Sequence, residues 1–188
     1  SSFWDVYNCP DDEVTQTWVY VEEDTEVDYR YGVGDLCSIT DDVWVSPEGD
    51  NNNLGISEGE AFLTIDYAMG MIYPTEENFI TIHLMDGTFS PSENGEKFQL
   101  LVTPYVNLIG QGQDVTILDA EGLSRELQLY SHNEGHYIPN NVISDMKITG
   151  GMSDEGGGVY FSAERTTISN VLIANNISTN YGGGVFYI

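Results

Sequence analysis

Side chains able to do chemistry are few in this chain, and their spacing limits what each group could do. Ser131-His132-Asn133-Glu134-Gly135-His136-Tyr137 carries a His-x-Glu-x-His phrase. That spacing can bring two imidazoles to a transition metal when a rigid element holds them. Here it falls in a loop between strands, so a solvated loop is expected. Glu48, Asp50, Asn52 and Asn53 place oxygen atoms along a glycine-containing loop, the ligand type that hard cations prefer. Glu48, Asp50 and Asn52 are therefore candidate calcium ligands, although the loop lacks a closing bidentate glutamate and also reads as a polar turn. Lys147 follows Asp145 by two positions in a strand-like run, which puts both on one outward face. A general base with a carboxylate neighbour has that arrangement, and so does an ordinary surface ion pair, the expected reading. Asp114, Asp119 and Glu121 surround a corner and read as turn residues. No phosphate-cradling loop, nucleophile elbow or Cys-x-x-Cys occurs. No catalytic or cofactor-binding residue is assigned.

Charge narrows the partners. Acidic residues number 31 against 5 basic, a net charge of -26, which repels nucleic-acid phosphates and anionic membranes. High salt or divalent cations such as calcium would screen it, and both point to an extracellular or cell-surface location. A merely acidic, soluble protein is the plainer alternative. Cys9 and Cys37, the two cysteines, both lie in the N-terminal segment and are expected to form a disulfide, with free buried thiols as the alternative. No run approaches a membrane-spanning helix, and a chain opening on Ser1-Ser2 without a basic, apolar leader suggests a processed secreted product.

The elements that would position any site are written as a repeat. Val142-Ile143-Ser144-Asp145-Met146-Lys147-Ile148-Thr149-Gly150 recurs 25 residues later as Thr167-Ile168-Ser169-Asn170-Val171-Leu172-Ile173-Ala174-Asn175. Gly156-Gly157-Gly158-Val159-Tyr160-Phe161 recurs 26 residues later as Gly182-Gly183-Gly184-Val185-Phe186-Tyr187. A helix-free repeat of this length is one turn of a β-solenoid. Upstream, residues 1–42 form an aromatic, acidic arm containing the alternating run Thr17-Trp18-Val19-Tyr20-Val21-Glu22. Asp42 to Pro47 reads as a strand. Phe62, Ile65, Ala68, Met69 and Ile72 predict a short helix over about 62–73, closed by Pro74. Short strands follow at 79–84, 98–102, 105–109, 115–118 and 126–130, with glycines at the corners. No helical spacers separate them, so successive coils are expected rather than a doubly wound sheet.

Several phrases in order carry a family resemblance: Trp44-Val45-Ser46-Pro47, the loop Glu48 to Gly55, Ala61 to Ile65 with its helix, and Leu84-Met85-Asp86-Gly87-Thr88-Phe89. Val106-Asn107-Leu108-Ile109-Gly110-Gln111-Gly112 and Thr116-Ile117-Leu118-Asp119-Ala120 continue the series. The chain from about residue 43 to 188 resembles the N-terminal part of a right-handed parallel β-helix of the pectin lyase-like superfamily. Its repeats are similar to those of secreted bacterial surface and adhesin proteins. The resemblance implies an all-β, right-handed, single-stranded parallel β-helix with a short capping helix and the N-terminal arm. It leaves activity open, because this fold hosts lyases, hydrolases, epimerases, adhesins and fibres. Its polyuronate lyases use calcium-bound carboxylates with an Arg or Lys, whereas here the basic residues are only Arg30, Lys97, Arg125, Lys147 and Arg165. The Gly-His-Gly and Arg-Ile-Lys phrases of its hydrolases are absent.

A structural or binding module is therefore expected. The sequence stops in mid-strand at Val185-Phe186-Tyr187-Ile188, so either a longer polypeptide or a stacked second copy is expected to cover that coil, the latter able to propagate as a filament. Phe3, Trp4, Tyr7, Trp18 and Tyr20 of the arm are candidate docking residues, opposite Val185, Phe186 and Ile188. Two rivals predict different outer surfaces. A polysaccharide lyase-like enzyme with its site beyond residue 188 would align Lys or Arg with Asp on a groove, and a carbohydrate-binding adhesin would show an outward aromatic strip without a general base.

Overall fold

The computed structural model describes residues 39–129, 141–161 and 166–187. The chain divides into Ser1–Ile39 and Thr40–Ile188, and every element below belongs to the second unit. The Cys9–Cys37 pair, the five aromatic docking residues of the arm, the His132–His136 loop and Ile188 lie outside the described residues.

Alternation of apolar and polar residues produces short strands, which stack in parallel. The first is β1 (Val43–Val45). The next coil holds β2 (Ile80–Leu84), β3 (Gly87–Phe89) and β4 (Leu100–Val102), and the one after it β5 (Val106–Ile109), β6 (Thr116–Asp119) and β7 (Leu127–Leu129). Then come β8 (Val142–Thr149), β9 (Met152–Glu155) and β10 (Val159–Phe161), and finally β11 (Thr167–Ile173), β12 (Ile177–Tyr181) and β13 (Val185–Tyr187). Every strand pairing is parallel and joins one coil to the next. The result is an all-β parallel solenoid with a single short α-helix among the described residues.

The core consists of columns. Val43, Ile82, Leu108, Ile143 and Ile168 fall in register, as do Phe89, Leu118, Ile148 and Ile173. A third column is Leu100, Leu127, Val159 and Val185. Members before the last coil are buried, so each coil buries its apolar edge against the next, as solenoid stability requires.

The repeat encodes corners as well as columns. Asp145 and Asn170 have φ of 59° and 51°, Gly150 and Asn175 of 74° and 59°, and Gly156 and Gly182 of 59° and 62°. Asn, Asp and Gly are the residues that tolerate this left-handed region, and each pair sits at the same place in its coil. Asn176 ties one such corner to the coil before it, its Oδ1 accepting the Gly151 N–H at 2.8 Å and its Nδ2 donating to the Ile148 carbonyl at 3.0 Å. Asn176→Ala is expected to remove about 1–3 kcal/mol, read as a lower urea midpoint at unchanged slope.

The helix α1 (Ile65–Met71) is shorter than the predicted 62–73. Thr64 is its N-cap, with Oγ1 accepting the Tyr67 N–H, and Ile72 is already extended, so the helix ends before Pro74. Phe62 is not helical but forms a parallel bridge to Val45, and its carbonyl accepts the Ser46 N–H at 2.9 Å. Helical spacing of Phe62 with Ile65 arises because both are buried, not because both are in the helix.

Candidate functional site

The outer face of the sheet β4–β7–β10–β13 carries the densest set of recognition groups. Alternation turns Leu101, Gln128, Tyr160 and Phe186 outward, and the register places them in one row across four coils. Arg125, just before β7, lies along that row with its guanidinium carbon 4.6 Å from the Tyr160 ring centroid. Phe186 is 5.6 Å from Tyr160, and Tyr181 of β12 stacks on Phe186 at 6.1 Å and 25°. Four π or guanidinium planes thus form a continuous stack that ends on Tyr181, which is 64% exposed.

Arg125 is held rather than free. Its Nε donates to the Gly156 carbonyl at 3.0 Å, Nη1 to Gln128 Oε1 at 3.0 Å, and Nη2 to Ser153 Oγ at 2.9 Å and the Glu155 carbonyl at 2.6 Å. Those acceptors come from β7, from β9 and from the corner after β9, so the cation is a cross-coil clamp whose flat face supports Tyr160. Amides, a hydroxyl and aromatic faces side by side can take a ligand that offers both apolar faces and hydroxyls. Carboxylates flank the row: Glu155 pairs in register with Tyr181, and Glu155 and Asp154 are charged neighbours of Arg125.

A second feature is an open, acidic recess of about 600 Å³ lined by Ser46, Pro47, Glu48, Asp86, Gly87, Thr88 and Glu93. Of the three calcium candidates, Glu48 lines this recess. Asp50 and Asn52 bond each other: Asp50 Oδ1 accepts from the Asn52 backbone N–H at 2.9 Å and from its side-chain amide at 2.7 Å. Those donors hold the Asp50 carboxyl below the usual carboxylate range. Among the described residues no three His, Cys, Asp or Glu side chains converge as metal ligands.

The expected Asp145–Lys147 ion pair does not form. Left-handed Asp145 breaks the alternation that would have put the two side by side. Its carboxylate instead accepts from Asn170 Nδ2 at 2.6 Å and pairs with Ser144 Oγ at 2.7 Å, which lowers its pKa. His83, read as a surface strand residue, stacks on Trp44 at 4.9 Å and sits 3.5 Å from Asp42 Oδ2.

Of the docking residues at the far coil, Val185 is 42% exposed and Phe186 joins the row. Tyr160 and Tyr181 were missed by sequence reasoning, although a signal existed for the first. Val159-Tyr160-Phe161 and Val185-Phe186-Tyr187 each place an aromatic residue between two inward ones. Arg125 left no such signal, because it has no counterpart in the later repeats.

No protein-family profile matches the chain, and no solved structure does. Metabotropic glutamate receptor-like protein P of Dictyostelium discoideum is 27% identical over 150 residues, covering 76% of this chain. The chain spans about a tenth of that relative's length. No helix among the described residues is long and apolar enough to cross a membrane.

Proposed function

We propose that this chain is a β-solenoid binding module of a cell-surface or secreted protein, and that it takes carbohydrate on the Arg125–Tyr160–Phe186–Tyr181 row. The observation that carries this reading is the stack itself, an outward aromatic row that ends on the exposed ring of Tyr181. Sugar C–H faces pack on aromatic rings, and Gln99, Gln128 and Ser153 offer hydrogen-bonding partners alongside. With a net charge of -26, a neutral glycan is favoured over a polyuronate. Similarity to a receptor-like protein supports a surface setting.

Calorimetric titration with neutral and acidic oligosaccharides tests it. Binding of a neutral member is expected, and Tyr181→Ala should weaken it at least about tenfold, about 1.4 kcal/mol, while far-ultraviolet circular dichroism stays unchanged because the ring is exposed. Absence of binding across the panel, or an unaffected variant, refutes the reading.

A second reading is end-to-end self-association through the last coil. Leu172, Ile177, Val185 and Tyr187 are 42%, 57%, 42% and 63% exposed. Val185 and Tyr187 continue columns that are buried one coil earlier, at Val159 and Phe161. Either further coils of a longer polypeptide or a second copy supplying parallel strands would cover them, and the second option is the one that self-association adds. Light scattering is expected to show mass rising with concentration, and Val185→Lys to abolish the rise; strictly monomeric behaviour refutes it.

A further inference from the structure

Two carboxyl groups lie inside the early coils and form no ion pair among the described residues. Glu126 is fully buried. One carboxyl oxygen accepts the Ala120 N–H, and the other, Oε2, has no partner. Its backbone joins three coils, since its carbonyl accepts from Leu100 N–H at 2.8 Å and its N–H donates to the Gly157 carbonyl at 3.2 Å. Glu96, buried in the segment between β3 and β4, accepts from the N–H groups of Ile65 at 2.7 Å and Asp66 at 3.0 Å, at the start of α1, and from Lys97 N–H at 3.2 Å.

Among the described residues, the charged groups that act on these two are acidic. Asp119 at the end of β6 and Glu96 face Glu126, while Asp66 of α1 faces Glu96. Arg125, although adjacent in sequence, is turned to the outer row. Among the described residues the one ion pair is His83 with Asp42. An ionised Glu126 would leave a charged oxygen buried with no protein partner, whereas a protonated one is neutral.

We propose that Glu126 is a proton-held latch: the first coils close on its neutral carboxyl group, and loss of that proton loosens the junction its backbone makes among three coils. Burial is the main cause that pushes its pKa up to about 9, against the Ala120 hydrogen bond, with Asp119 and Glu96 adding to the rise. Burial likewise pushes Glu96 up to about 6. Both start from 4.5, and a raised carboxyl pKa means that the folded state holds a proton the unfolded chain has released. Their contribution to stability is thus complete below about 4.5 and is lost as pH rises, through about 6 for Glu96 and about 9 for Glu126. Between those two values Glu126 alone holds the proton. The fold is therefore tightened by acid and relaxed by alkali.

Thermal unfolding of the full chain from pH 5 to pH 9 at constant ionic strength tests the latch against Glu126→Gln, which keeps the shape and removes the titration. The melting temperature of the natural chain should fall through this range. Glu126→Gln should fall less steeply, by a slope of roughly one proton, and match or exceed the natural chain at pH 8. Parallel profiles overturn the proposal. Should the variant not fold, the natural chain supplies the same decision at neutral pH. An infrared band of a protonated carboxyl that vanishes on unfolding, with release of roughly one proton per chain, supports the latch, and absence of both overturns it.

Discussion

Phe89→Ala should lower the unfolding free energy by about 3–5 kcal/mol, the usual range for deleting a buried phenylalanine ring. At about 2–4 °C per kcal/mol for a chain of this size, the melting temperature would drop by about 6–20 °C. Phe89 is fully buried and heads the column over Leu118 and Ile148, so the void opens inside the first complete coil. The residues after it depend on that anchor. Ser90 N–H donates to Asn94 Oδ1 at 3.0 Å, Asn94 Nδ2 donates to the Leu63 carbonyl at 2.8 Å, and Glu96 binds the start of α1. Loss of the ring thus also loosens the segment that holds the helix. Solenoid stability is a sum of local and nearest-neighbour terms, so a defect at this position weakens the coil on which the next one is built. Leu101→Ala, on the outer face and 45% exposed, should change stability by less than about 1 kcal/mol, since little apolar area is uncovered. Calorimetric melting of the two variants together checks both expectations; equal losses would show that the columns are not the source of stability.

Strands and corners were legible because one set of residues encodes both. Ile80, Ile82 and Leu84 alternate with Thr81 and His83, and the structure buries the first three as expected. The glycines at the corners are equally legible, since Gly87, Gly95, Gly112 and Gly122 all take positive φ, whereas the strand-like alternation through Asp145 hides the left-handed corner there. What could not be read was the traffic between coils. Alternation from Leu127 and Leu129 would point Glu126 outward, yet β7 begins only at Leu127 and Glu126 turns in at the preceding corner. Arg125 reaches Ser153, Glu155 and Gly156, some thirty residues on, and no local pattern specifies such a partner. Polar residues at coil corners are set by three-dimensional neighbours, whereas apolar residues within strands are set by a period of two. For this reason the scaffold was readable and the candidate site, built from corner residues beside a strand row, was only half so.

The glycines at those corners set the tightest limit on substitution. Gly151→Ala is expected to lower stability by about 2–4 kcal/mol, combining overpacking with weakened hydrogen bonds. Backbone strain is not the cause, because Gly151 is not among the glycines with positive φ. The cause is space: a methyl group there would overlap the Gly157 carbonyl oxygen and crowd Asn176 Oδ1 at 3.0 Å. Both obstacles are themselves connectors. The Gly157 carbonyl accepts from Glu126 N–H at 3.2 Å, and Asn176 Oδ1 accepts from Gly151 N–H at 2.8 Å. Moving the carbonyl away therefore disturbs the contact with the coil before, and moving the asparagine disturbs the contact with the coil after. A flexible side chain could give way cheaply, but a carbonyl fixed between two coils cannot. Gly59→Ala provides the contrast, since nothing lies within 4 Å of the added carbon, and its effect should stay within about 0.5 kcal/mol. Urea unfolding of the two variants distinguishes crowding from a general intolerance of alanine for glycine. A Gly151→Ala midpoint indistinguishable from that of Gly59→Ala would mean that the coils can separate at this corner without loss.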